Sequence, residues 1–495
     1  MHSGTSPKTY LAFDLGAETG RAILATLRSG ILTAQEIRRF KNDPVEYGGS
    51  LHWDIPRLWW ELQTTLSKLQ QTKLAGIGVD SWGVDFAFLG ERGELLQNPY
   101  HYRDARTSGM MERVFAEIRR EEIYERTGIQ FMPINTLYQL FAAKEQIPTI
   151  LEGARNFLMI PDLLHYWLSG AVSCEFTNAT TTQFVNARSR DWDFSLLDKL
   201  EIPRHFLGKI VESGTILGAL LPSIAGGSDL RDTPVIAPAT HDTGSAVAAV
   251  TARDGTAFLS SGTWSLLGTE VDAPVISGES LRSNFTNEGG IGGTTRLLKN
   301  VMGLWILQRC RDLWAKEDHR AGNESLMEVA SQGERFASLI DPDHESFLHP
   351  RDMAASIDQF CSRTRQPKPA TPGRYVRAIL ESLAFKYRLV LGNLEKLTGR
   401  KIERIRVIGG GSKNRLLNQW TADATGKVVL AGPAEATALG NAAMQMLASG
   451  EVESLAEVRE IVERSFPPEV FEPVNTDHWE KQETRFGQYC EGEYA

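Results

Sequence analysis

The amino-acid sequence predicts an α/β protein made of two halves that face each other across a cleft, and three observations carry that expectation. At 495 residues the chain exceeds what one ordinary core accommodates, so two domains, or three small ones, are expected. Hydrophobic patterns of period 2 and period 3.6 alternate along it, as they do where strands interleave with helices. An opening of paired strands around a short polar turn occurs near the start and again, in different residues, at AFLSSGTWSLLGTEV, residues 257–271.

From Thr9 to Phe40 three short strands are expected, TYLAFDLG, GRAILATL and ILTAQEI, as a meander whose first turn is GAETG. A helix over residues 55–69 follows: Pro56 suits its first turn, and Leu58, Leu62, Leu66 and Leu69 share a face. LAGIGVD reads as a buried strand that runs into the polar-aromatic loop Ser81-Trp82-Gly83. In TPVIAPATHDTGSAVAAV, a buried strand up to about Ala237 leads through a turn into a helix that Asp242 or Thr243 would cap. The boundary between the halves is placed near Val250, where the Ala-rich segment gives way to ARDGT.

In the second half, after the strand pair at 257–271, Thr371-Pro372 opens a long helix with Val376, Leu380, Leu383, Tyr387, Val390 and Leu394 on one face, closed by Gly399. The strand IERIRVI then runs into Gly409-Gly410-Gly411 and a further helix, with Ser412 or Asn414 as its cap and Leu416, Leu417, Trp420 and Ala424 facing a core. The expected division is 8–250, 251–450 and a charged, helix-prone extension, 451–495, with no recognisable chemistry.

A formal net charge of -9, from 53 basic and 62 acidic residues, leaves no basic footprint for nucleic acid. An anionic small ligand stays open, because backbone N–H groups, a helix N-terminus or a metal supply local positive potential. Cys174, Cys310, Cys361 and Cys490 match no metal-ligand spacing or disulfide framework, which suits a reducing cytoplasm. No apolar signal region opens the chain, and the uncharged stretch Gly255 to Thr269 is broken by Ser, Gly and Thr, so neither a signal peptide nor a membrane span is expected.

Four segments can carry chemistry, each with a plainer alternative. The turn from Asp14 to Arg21 can curl its N–H groups round an anion as a phosphate loop, with Asp14 able to hold Mg²⁺; it can equally be an ordinary hairpin turn. Asp242 falls just past a strand's carboxyl end, where open α/β sheets bind ligands, yet Asp is also a good helix start. Gly409-Gly410-Gly411 permits close approach of a flat or anionic ligand, or simply a tight strand-to-helix turn, and matches neither a Walker A nor a GxGxxG pattern. Asp80-Ser81-Trp82-Gly83-Val84-Asp85 combines two carboxylates, a hydroxyl and an indole, which suits a sugar, although Trp82 suits a core too. His241 stands alone, with no second His near enough in sequence to suggest a metal pair.

The order of these segments is more specific than any one of them: the phosphate turn, VDSWGVDF, ATHDTGSAV, SSGTWSLLG, NEGG, LKNVMGLWILQ, and VIGGGSKNRLLNQWTADATG followed by AGPAEATALGNA. That series closely resembles the FGGY carbohydrate kinases, and among them the rhamnulokinases, over about residues 9–450. The resemblance implies two ribonuclease-H-like domains of the actin, Hsp70 and hexokinase type around a central cleft, sugar mainly on the first and ATP mainly on the second. It also implies phosphorylation of L-rhamnulose to L-rhamnulose 1-phosphate with ATP and Mg²⁺, in L-rhamnose breakdown.

By resemblance, Asp242 stands at the family's proton acceptor, and Gly83, His241, Asp242, Thr243 and Asn300 at its sugar contacts. Ala17, Glu18, Thr19, Gly20 and Arg21 of the turn, with Thr263, Gln308 and Gly410, stand at its ATP contacts. Glu18 departs from the commoner pattern, which has a small hydroxyl residue there; an acid beside ATP phosphates repels them unless it faces Mg²⁺ or solvent. The implied partners are a small sugar and ATP, without nucleic acid or membrane; no oligomeric state is legible, and a monomer is compatible. Rival readings are another FGGY kinase, for L-fuculose, xylulose or glycerol, and a non-catalytic ATP switch of the actin/Hsp70 type, against which Asp14, Asp242 and the three glycines speak.

Overall fold

Two mixed β-sheets form the frame of the computed structural model, which describes residues 6–317, 323–348 and 350–490. The first sheet contains β1 (Lys8–Leu15), β2 (Thr19–Arg28), β3 (Ile31–Lys41), β4 (Gly76–Ser81), β5 (Thr215–Ala219) and β6 (Pro234–Ala237) in the order β5-β6-β4-β1-β2-β3. The second contains β7 (Thr256–Ser261), β8 (Trp264–Val271), β9 (Thr286–Gly289), β10 (Thr295–Met302), β11 (Arg404–Ile408), β12 (Val428–Ala431) and β13 (Glu469–Phe471) in the order β9-β10-β8-β7-β11-β12-β13.

The two share one grammar. In each, a central strand, β1 or β7, runs antiparallel to its hairpin partner and parallel to a crossover strand, β4 or β11. Such strands are covered on both faces, which is why LAFDL reads as an unbroken apolar run interrupted only by Asp14. The register sets Asp14 opposite Arg21 on one side and Asp80 on the other.

Helix α1 (Ile55–Ser67) starts at an Asp54 cap and ends two residues before Leu69, which is still buried. Helix α2 (Asp242–Ala248) follows β6. Helix α3 (Trp305–Glu317) follows β10, and α4 (Pro372–Thr398) buries all six residues of its expected apolar face and stops at Gly399, φ 64°. Helix α5 (Arg415–Thr425) is capped by Asn414, whose Oδ1 accepts from the Leu417 N–H at 3.1 Å. Ser412, the alternative cap, lies instead in a one-turn 3₁₀ segment, Gly410–Lys413, that separates the glycines from the helix.

Helix α6 (Ala436–Ala448), from late in the chain, packs on β1 and β4 of the first sheet and against α2. Here Gly440 touches backbone: a Cβ on it would overlap Ser245 O. Beyond it, α7 (Leu455–Ser465) packs on β3, β13 completes the second sheet, and α8 (Thr476–Gly487) buries Trp479 and Phe486 against Phe385. Among the described residues no helix is long and apolar enough to cross a membrane, and the four cysteines are buried.

Candidate active site

Strands β1 and β4 end, and α2 begins, at the mouth of a cavity of about 340 Å³ between the two sheets. From the first half, Asp14, Ala17, Glu18, Thr19, Arg21 and Gly83 line it. His241, Asp242 and Thr243 reach it from the start of α2, and Thr263, Asn300, Gln308 and Gly410 from the second half. A larger cavity of about 900 Å³ adjoins it and shares Ala17, Glu18, Thr19, Thr263 and Gln308. Of the residues that the resemblance or the turn assigns to sugar, ATP or Mg²⁺, only Gly20 does not line the first cavity; it lies in the β1–β2 ladder, where a Cβ would overlap the Phe40 ring.

Asp242 is the first helical residue of α2, and His241, with no side-chain capping bond, occupies the cap position expected for Asp242 or Thr243. The reason is the fully buried Glu175: its Oε2 accepts from the Thr240 N–H at 3.0 Å and the Thr240 hydroxyl at 2.9 Å, holding the turn one residue earlier. Asp242 Oδ1 accepts from the Thr243 N–H at 2.5 Å and its hydroxyl at 3.1 Å, and lies 3.5 Å from His241 Nε2. Enclosure in the cleft raises the Asp242 pKa; His241 opposes this, and Asp14 adds to it.

Asp14 accepts from Arg21, which also reaches Glu435 from the other half. Asp80, one strand over, is fully buried, and burial followed by the charge of Asp14 holds its carboxyl well above the usual range. Its Oδ2 accepts from Asn441 Nδ2 of α6 at 2.6 Å. Glu18, whose orientation the sequence left undetermined, accepts from the Thr263 hydroxyl at 3.2 Å and so ties the first turn to the second across the cleft. Of the three glycines, Gly409 needs its left-handed φ of 80°, Gly411 packs on Ser261, and only Gly410 leaves open space where a side chain would be.

The loop after β4 differs from its sugar-binding expectation. Asp80 and Asp85 are both turned inward, and Asp85 gathers Trp53 Nε1 at 2.6 Å, Trp82 Nε1 at 3.0 Å and Gln139 Nε2 at 2.9 Å. Trp82, its ring centroid 4.1 Å from that of Trp53 and tilted 37° to it, lines the cavity beside Gly83. Alternation along a strand assigns side chains to faces, but here both faces are covered, so the pattern could not tell an inward acid from an outward one.

Sequence reasoning missed Glu175, Gln130, Glu288 and Arg296. Gln130 Oε1 accepts from the Asn300 N–H at 2.9 Å and from Asn300 Nδ2 at 3.1 Å, bridging the halves. Glu288 was visible only as part of NEGG, without a role. Among the described residues no three His, Cys, Asp or Glu side chains are grouped so as to hold a metal ion. What the cavity offers a hard cation is carboxylate oxygen, from Asp14, which fits Mg²⁺ bound by one or two carboxylates with phosphates and water making up the rest.

The family model described as the FGGY family of carbohydrate kinases, N-terminal domain, matches residues 9–249, and that for the C-terminal domain matches residues 257–449. A rhamnulokinase of Bacteroides thetaiotaomicron is 45% identical over 476 residues, covering 96% of this chain and 97% of that protein. One from Pectobacterium atrosepticum is 42% identical over 485 residues, covering 96% of each. Among solved structures, xylulose kinase from Lactobacillus acidophilus superposes with a TM-score of 0.81 at 19% identity, covering 98% of this chain and 97% of that one. Plasmodium falciparum glycerol kinase with ADP does so at 0.76 and 16%, with the same coverage. These structural likenesses establish the fold, of the two-domain kind expected.

Proposed function

The chain belongs to the FGGY family of carbohydrate kinases, and from that premise we infer that the cleft transfers the γ-phosphoryl group of ATP to the C1 hydroxyl of L-rhamnulose. The protein is a sugar kinase that yields L-rhamnulose 1-phosphate and ADP in the breakdown of L-rhamnose; near-full-length identity of 40–45% to curated rhamnulokinases supports the substrate. The observation that carries the mechanism is the position of Asp242, in one cavity with the Asp14–Arg21 turn and Gly410.

In phosphoryl transfer the transition state is loose, so the rate comes mainly from holding the acceptor oxygen, the phosphorus and the leaving oxygen in line. Asp242 Oδ1 is already engaged by Thr243 and faces His241, which leaves Oδ2 to orient the C1 hydroxyl. As the C1 oxygen bonds to the γ-phosphorus and the bridging bond to ADP breaks, the hydroxyl proton passes to Asp242 and then to solvent. Gly83, His241, Thr243 and Asn300 are assigned to the sugar. The turn from Ala17 to Arg21, with Thr263, Gln308 and Gly410, is assigned to the nucleotide, Gly410 because nothing but ligand need fill the space beside it. By these assignments residues 8–250 hold all the sugar positions but Asn300, together with the nucleotide turn, whereas 251–450 hold the remaining nucleotide positions and only Asn300 of the sugar's. Asp14 would hold the Mg²⁺ that accompanies ATP, directly or through water, where its charge would offset that of the phosphates. The buried free thiols of Cys174, Cys310 and Cys361 suit a cytoplasmic location.

The test is a coupled ADP-release assay with Mg²⁺-ATP and L-rhamnulose, L-fuculose, L-ribulose, D-xylulose, D-fructose or glycerol as acceptor. L-Rhamnulose should give the highest kcat/KM; preference for another sugar would discard the substrate assignment, and ADP release indifferent to all six would discard the kinase. Asp242→Asn should lower kcat about 10²–10⁴-fold with an unchanged melting temperature.

A further inference from the structure

Glu288 and Arg296 have no part in the reaction as described so far, yet they are among the most deeply buried charges near the cavity, 4% and 1% exposed. They stand directly opposite each other on β9 and β10, with Arg296 Nη2 3.3 Å from Glu288 Oε2. Burying such a pair costs desolvation that its mutual attraction repays poorly, so stability alone does not explain it. What the pair faces is informative. His241 Nδ1 lies 3.2 Å from Glu288 Oε2 and 3.1 Å from Arg296 Nη2. The guanidinium is itself fixed by its Nε, which donates to Gly289 O at 2.8 Å. On the other edge of the same imidazole, Nε2 is 3.5 Å from Asp242 Oδ1.

We propose that Glu288 and Arg296 are positioning residues for the proton acceptor, acting through His241. Arg296 Nη2 donates to the Nδ1 lone pair and Glu288 holds that guanidinium in place, so Nε2 carries the imidazole proton and stays aimed at Asp242 Oδ1. That keeps Oδ1 occupied and turns Oδ2 toward the acceptor hydroxyl. The pair belongs to the second sheet, whereas His241 and Asp242 follow the first, so the acceptor is aligned only when the two halves stand in this relation. Alignment of the base is thereby coupled to assembly of the cleft, a role for which a charged pair serves better than an apolar one because its contacts are directional.

This inference rests on Asp242 as proton acceptor, and the experiment separates the two. Steady-state kinetics with L-rhamnulose and Mg²⁺-ATP are measured for Glu288→Gln, His241→Asn, the double variant and Asp242→Asn, with melting temperatures alongside. Positioning through His241 predicts a roughly tenfold lower kcat for Glu288→Gln, KM values within about twofold of the wild type, and no further loss when it is added to His241→Asn. Unchanged kcat, a raised sugar KM with kcat intact, or independent losses that multiply in the double variant would each overturn it. If Glu288→Gln does not fold, Arg296→Lys is judged by the same criteria, since Lys keeps the charge but not the fork that reaches both Gly289 O and His241. An Asp242→Asn enzyme with near wild-type turnover would instead discard the assignment of the base.

Discussion

Asp85 shows at the scale of one residue how an acid in a loop beside the site can be structural. Besides the two indoles and Gln139, its carboxylate accepts from the Tyr102 N–H at 3.2 Å, so it fixes Trp82, whose ring borders the cavity. Burial pushes its pKa up to about 6, against the pull of Gln139, Trp53 and Trp82. A folded-state pKa above the unfolded value means that the folded protein binds the proton more tightly. The stability this contributes is complete below the unfolded pKa of about 4 and is lost as pH rises through about 6, a swing of roughly 3 kcal/mol. Asp85→Asn cannot titrate. Its unfolding free energy relative to the wild type should therefore rise by up to that amount between pH 4 and pH 7, as read from denaturant midpoints. A parallel pH dependence of the two proteins would show that Asp85 keeps an ordinary pKa.

Among the elements, α4 offers two glycines with opposite expectations. Gly392 lies in the helix interior, where a Cβ would meet nothing within 4 Å, so Gly392→Ala should raise stability by about 0.5–1 kcal/mol. Gly399 ends the helix at φ 64°, also in open space, so Gly399→Ala pays only for its backbone and should lower stability by about 1 kcal/mol. Shifts of the same sign in thermal unfolding would refute this division. The limits of α4 were legible because local chemistry marks them: Thr-Pro at one end, Gly at the other, and a 3.6-residue period between. The meander β1–β3 was legible for the same reason. The 3₁₀ turn Gly410–Lys413 was not, because a single turn has no period, and the start of α2 was misplaced because Glu175, 65 residues away, sets it. Gln130 likewise acts through a partner 170 residues distant and sits in a segment without a motif.

For the molecule as a whole, the repeat of strand openings announced two sheets and a cleft between them, but not that α6 returns to lie on the first sheet. Nothing local in a helix records which of two sheets it will cover. That return brings α6 against α2 so closely that Gly440 has no room for a side chain, its neighbour being the backbone at Ser245. The halves are joined again by the Tyr124 hydroxyl, which donates to Phe285 O at 2.8 Å, and by Gln130 with Asn300. At the opposite lip, Glu18 meets Thr263 through one exposed bond of 3.2 Å. An exposed hydrogen bond contributes little net free energy, whereas at the α2–α6 crossing backbone meets backbone with no room to spare. The crossing also bears on the chemistry, because α2 begins with Asp242 and α6 holds Asp80 through Asn441. A methyl at position 440 must displace backbone rather than a flexible side chain, and displacement of about 1 Å at a reacting group can cost about 10²-fold in rate. Gly440→Ala should therefore lower kcat at least tenfold and depress the melting temperature, with the KM for ATP little changed. Thr263→Val, which removes only the bond at the lip, should leave the melting temperature where it is. A Gly440→Ala enzyme with normal kcat would mean that α2 and α6 can separate without moving Asp242, and the rigid joint between the halves would then have to lie with Tyr124 and Gln130.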